Sequence, residues 1–122
     1  MKKKYLLLTL LLALNFQKAA QAQTVTDIDG NVYNTVTIGP QVWMQENLKT
    51  SRYQDGSAIG EVEDSISWAN IYNTNSTTPA WCYYGSDAAN NATYGKLYNW
   101  YAANDPRNVC PAGWHLPTGS DI

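Results

Sequence analysis

Tyr94-Gly-Lys-Leu-Tyr-Asn-Trp-Tyr-Ala-Ala-Asn-Asp-Pro-Arg-Asn-Val-Cys-Pro-Ala-Gly-Trp-His-Leu-Pro-Thr-Gly-Ser-Asp-Ile122 decides how the chain is read. Tyr94, Leu97, Tyr98 and Tyr101 stand at i, i+3, i+4 and i+7, which is one face of an α-helix. Asn91 or Thr93 supplies a short side-chain oxygen for the N-cap. Gly95 weakens the first turn, because glycine gives up more backbone entropy than alanine. Asp105-Pro106 ends the element, since proline disfavours helix in the residue before it. Pro111 and Pro117 bracket Trp114, His115 and Leu116, leaving room for a short extended piece. Thr118-Gly-Ser-Asp121 is close to a capping box and announces a further helix. Only Ile122 follows it, which is the pattern of the first part of a longer domain.

Upstream, Ala80-Trp-Cys-Tyr-Tyr-Gly85 is a short aromatic run that reads as a buried strand. Asn73 to Pro79 is a loop by composition. Ser65 to Tyr72 reads as a short helical turn carrying Ile66, Trp68, Ala69 and Tyr72. Glu61, Glu63 and Asp64 form an acidic cluster, read as a solvated loop rather than a cation site. Arg52-Tyr-Gln-Asp-Gly56 is a polar turn. Gln41 to Met44 reads as a strand, with Trp43 and Leu48 in the core. Thr24 to Asp29 and Asn31 to Ile38 read as a hairpin around Asp29-Gly30. Val32, Val36 and Ile38 share one face at period two, interrupted by Asn34. Asp27 to Asn31 also resembles the start of a calcium loop. Such a loop wants a glycine and a closing glutamate where this chain has Val32 and Ile38, so a plain turn is expected. Asn75-Ser-Thr77 and Asn91-Ala-Thr93 are formal glycosylation sequons, of consequence only in a eukaryotic secretory pathway.

The N-terminus has its own logic. Lys2, Lys3 and Lys4 form a basic region, Tyr5 to Phe16 an apolar one, and Ala20-Gln-Ala22 a small-residue site. This is the pattern of a signal peptide over residues 1–22, cut between Ala22 and Gln23. The apolar run is short against the roughly 20 residues that span a bilayer, so no membrane span is expected after its removal. The cut removes four lysines and no acid. Four Lys and Arg then face ten Asp and Glu, and the net charge moves from −2 to −6. That opposes nucleic-acid binding, which needs a basic surface.

Cys82 and Cys110 are the only cysteines. In a secreted chain an even count favours a disulfide, here Cys82–Cys110. Closing a loop of about 29 residues contributes roughly 3.5 kcal/mol in the chain-entropy model. His115 is the only histidine. Cys110 and His115 lack the second pair that a zinc site needs, so no metal and no cofactor is expected. A Cys–His nucleophile needs a reduced thiol and an orienting group. There is no phosphate loop, nucleophile elbow or zinc-protease helix motif. No catalytic residue is assigned. Nine Tyr and five Trp stand against one Phe. Such side chains suit cores that meet polar loops, and also binding faces.

Four blocks in order carry a family resemblance: Asp27 to Tyr33, Ile38 to Thr50, Tyr94 to Ala103, and Cys110 to Thr118. Over Thr24 to Ile122 the chain resembles the Fibrobacter succinogenes major paralogous domain family of secreted bacterial proteins. The resemblance implies a domain about twice this long, so that residues 23–122 are an incomplete copy. It implies a closing strand with a cysteine, and so an alternative partner for Cys110. It also implies an extracellular protein with no established catalytic residue. A weaker similarity, carried by Trp114, Leu116, Pro117 and Thr118, is to formylglycine-generating-type proteins with a C-type-lectin-like fold; it implies fold more than activity.

The reading is an α+β fold: small antiparallel strands with one or two short helices, like the first half of a C-type-lectin-like domain. The expected function is a non-enzymatic binding module, secreted or at the bacterial cell surface, with an extracellular glycan or a cell-surface protein as partner. Its ligand-binding residues are not legible. The alternatives are a structural cell-envelope protein, or part of an enzyme whose site lies elsewhere.

Overall fold

The computed structural model describes residues 23–122, so the leader read over residues 1–22, with Ala22, lies outside the described residues. Two three-stranded sheets carry the fold. The first runs β1 (Thr24–Thr26), β2 (Val32–Ile38) and β3 (Gln41–Met44), all antiparallel. The second runs β4 (Gly60–Glu61), β5 (Ala80–Tyr83) and β6 (Lys96–Tyr98). In it β4 pairs with β5 in parallel, against the expectation of antiparallel strands alone, while β5 and β6 are antiparallel. Helices α1 (Ser65–Asn73), α2 (Asn91–Tyr94) and α3 (Trp100–Ala103) complete an α+β fold.

The aromatic face read from Tyr94 to Tyr101 is not one helix. Gly95 stops α2 at φ 66°, ψ −148°. Strand β6 follows, and α3 starts anew behind the N-cap Asn99. Gly95 leans on the backbone of residues 47–48. A Cβ built there meets the Leu48 carbonyl oxygen at 2.5 Å. The amide of Lys96 then donates to that oxygen at 3.0 Å. Tertiary hydrogen bonds therefore override helical periodicity in this stretch.

The first hairpin also departs from its reading. β1 stops at Thr26, and the turn spans Asp27 to Asn31. The Asp27 carboxylate holds it, accepting from the amides of Asp29 and Asn31 and from the Tyr33 hydroxyl at 2.5 Å. The Asp29 carboxylate is spent on Ser51 and Arg52. Both carboxylates are thus engaged by groups of the chain itself. The buried face of β2 is Tyr33 and Thr35; Val32, Val36 and Ile38 face solvent. Asn34 lies on that open face and holds Glu46.

The core gathers Tyr53, Ile59, Trp81, Ala102, Val109 and Cys110, with Leu48, Tyr83, Tyr98 and Trp114 packed around them. Tyr53 comes from the turn read as polar, yet it is fully buried under the Arg107 guanidinium, 4.1 Å from its ring centre. Leu48 does reach the core, whereas Trp43 is half-buried beside it. Helix α1 forms as read, capped by the Asp64 side chain on the Ser67 amide at 2.7 Å. Asp64 therefore serves the helix rather than an acidic cluster. At Thr118, the capping-box contact exists: the Thr118 amide donates to Asp121 at 2.7 Å. Among the described residues, no helix is long and apolar enough to cross a membrane.

Two outcomes test this account. Gly95→Ala should cost more than the about 1–3 kcal/mol of a strained backbone conformation, because the methyl also strikes Leu48. Gly113→Ala, at φ +82° with open space around it, should cost only the conformational part; urea melts compare the two. The second outcome concerns acid. Burial raises the Asp29 carboxyl, but the Ser51 hydroxyl and amide and the Arg52 charge outweigh it and hold the group below its ordinary value. The Arg107 fork holds Asp105 at about 2. Depressed carboxyls stabilise the fold above the ordinary carboxylate range and lose that contribution as pH falls through their folded values. Stability should therefore drop between about pH 4 and pH 2, and Asp29→Asn should flatten the upper part of that drop.

Candidate functional site

Helix α1 ends in a Schellman turn. The Asn75 amide donates to the Tyr72 carbonyl and the Ser76 amide to the Ile71 carbonyl. Asn75 takes the left-handed conformation, φ 52°, that this turn needs. The turn faces the start of α3, and between them lies a cleft of about 610 Å³. Trp68, Ile71, Tyr72, Asn73, Asn75 and Ser76 form one side; Asn99, Trp100 and Tyr101 form the other.

Asn99 positions α3. Its side-chain oxygen accepts from the amides of Ala102 and Ala80, and its amide nitrogen donates to Thr78. One side chain thus ties α3 to β5 and to the loop that leaves α1. Both acceptor sites of its side chain and one of its two N–H donors are used by the fold. Asn73 and Asn75 differ: among the described residues their side chains make no hydrogen bond. Tyr72 is 85% exposed and Trp100 69% exposed. These rings do little for the core, and an amide with two donors and an acceptor stands beside them.

A second concavity, of about 660 Å³, runs between β3 and residues 110–117. Trp43, Met44, Leu48, Cys110, Trp114 and Leu116 make it mainly apolar. His115 and Asp121 stand at its edge, 3.3 Å apart. Among the described residues no hydrogen bond joins Cys110 to His115. Burial pushes the Cys110 thiol up, His115 Nε2 faces Asp121, and the Asp121 carboxylate is engaged by Thr118.

The expected Cys82–Cys110 disulfide is not formed; both are free thiols. Strand alternation gives the reason. Trp81 and Tyr83 turn to the core that holds Cys110, so Cys82 between them faces the other way. Gln23, the residue after the expected cut, is exposed at the entrance of the second groove, and its carbonyl accepts from the Thr35 hydroxyl. The cleft residues were individually visible as aromatic or amide positions. Nothing in the sequence joins Trp68 to Trp100, which are brought together only by β5 and β6.

The thiols give a direct check. Burial raises both Cys82 and Cys110. Both should react slowly with a thiol reagent at neutral pH, faster as pH rises, and count as two after unfolding. Finding no thiols in the unreduced, unfolded chain would contradict the geometry.

The family model described as the Fibrobacter succinogenes major domain matches residues 36–122. No curated protein and no solved structure gives a match. The match spans most of the chain and contains β3, the second sheet and every residue of the cleft. The chain belongs to the Fibrobacter succinogenes major domain family.

Proposed function

We propose that the protein is a non-enzymatic binding module of the bacterial cell surface or exterior, and that it holds a glycan in the cleft between α1 and α3. The observation that carries this reading is the pair of exposed rings, Tyr72 and Trp100, beside two uncommitted amides, Asn73 and Asn75. A sugar ring presents C–H bonds on its face and hydroxyls on its edge. Aromatic faces meet the first, and amides meet the second. Export rests on the pattern of residues 1–22.

Catalysis has less support: burial raises the Cys110 thiol, and His115 in the same groove is turned to Asp121. A cell-surface protein as partner is the competing occupant of the cleft. Arrays of glycans and of surface proteins, probed with the full chain, separate the two. Retention by at least one glycan is expected, and the double variant Tyr72→Ala, Trp100→Ala should abolish it. Tyr84→Ala removes an exposed ring outside the cleft, paired with Tyr94, and should leave retention intact. Retention on proteins alone, or loss with Tyr84→Ala instead, would refute the proposal.

A further inference from the structure

Building on that reading of the cleft, we infer that its ligand is an uncharged polysaccharide, bound without a bridging cation. The observation is the chemistry of the walls. Helix α1 reads Ser-Ile-Ser-Trp-Ala-Asn-Ile-Tyr-Asn and α3 reads Trp-Tyr-Ala-Ala; neither contains an acidic or basic residue. The intervening lining adds only Asn75, Ser76 and Asn99. Among the described residues the site is therefore neutral, in a chain that is acidic overall.

A polyanionic glycan is recognised by Arg or Lys, which supply charge-assisted hydrogen bonds. None of the four cations of the described chain, Lys49, Arg52, Lys96 and Arg107, lines the cleft. Arg52 meets Asp29, and Arg107 forks onto Asp105. Lys96 lies over the Trp81 and Tyr83 rings with its ammonium on the Lys49 carbonyl. A polycationic glycan would want carboxylates, and none of the described ones lines the cleft. A hard cation such as calcium would want them as well. Amide and hydroxyl groups alone fit vicinal hydroxyls of a neutral ring, each Asn side chain offering a donor and an acceptor to neighbouring oxygens.

The exposure of the rings selects a polymer over a small engulfed ligand. Small-molecule sites cover most of their ligand. Tyr72 and Trp100 stand so far into solvent that a sugar stacked on them keeps its opposite side in water. A chain passing across the surface tolerates that, and successive rings can use the two aromatic faces together.

The test measures retention of the full chain on cellulose, xylan and mannan, against alginate, heparin and chitosan. It is run at low and at about 0.5 M salt, with and without chelator, and with Trp100→Ala and Asn73→Asp. Circular dichroism checks that both variants fold. Retention on neutral polymers, unmoved by salt or chelator and weakened at least about tenfold by Trp100→Ala, is expected. Asn73→Asp should also weaken it, since the carboxylate loses the amide donors. Binding to charged polymers alone, lost with Trp100→Ala, would overturn the neutral ligand but leave the cleft as the site. Loss on chelation would overturn cation-free recognition. Retention that ignores Trp100→Ala, or no retention on any polymer, would overturn the cleft reading and this inference together.

Discussion

The fold depends on satisfying one irregular strap, residues 47–51, between the two sheets. It has no strand or helix partner of its own, yet Thr50 in it is fully buried. Buried backbone groups must be paired. Here groups from both sheets and from the first hairpin turn pair them. The Lys49 amide donates to Tyr33, and the Lys49 carbonyl accepts from the Lys96 ammonium. The Thr50 carbonyl accepts from the Tyr98 hydroxyl, and the Leu48 carbonyl from the Lys96 amide. Asp29 takes the Ser51 amide. Five backbone groups thus hold the first sheet to the second, and each uses a residue distant in sequence.

The partners on the second sheet feel that burial. Burial raises the Tyr98 phenol strongly, and the nearby Tyr33, Asp27 and Asp29 add to the rise. Burial lowers the Lys96 ammonium, with Asp29, Glu61 and Asp27 opposing it. Lys96 stays on the carbonyl and over two aromatic rings, a cation held by dipoles and π faces rather than by a carboxylate. Once β6 is placed by the strap, Asn99 follows it directly and sets α3. The cleft is therefore built from the strap outward: Leu48 to β6, β6 to Asn99, Asn99 to Trp100.

Several errors of sequence reading share this cause. Tyr94, Leu97, Tyr98 and Tyr101 do repeat at helical spacing, but the close approach of Gly95 to Leu48 breaks the element, and no local rule anticipates a contact across 47 residues. Val32, Val36 and Ile38 look like the inward face of β2. Tyr33 wins the interior because its hydroxyl joins Asp27 to Lys49, a gain that hydropathy does not register. Tyr53 was hidden by polar neighbours. By contrast α1, β3 and β5 were legible, because caps, turns and short apolar runs are local signals.

By itself the sequence determined the family, the α+β class, the local start of α1 and the aromatic and amide inventory of the cleft. Those rest on order, composition and contacts a few residues apart. Only the tertiary structure decided which face of β2 is buried, that Cys82 and Cys110 point apart, and that Trp68 meets Trp100 across a neutral cleft. The buried face of β2 and the placing of α3 depend on how the strap's buried backbone finds its hydrogen-bond partners, and that choice is made between residues that the chain keeps far apart.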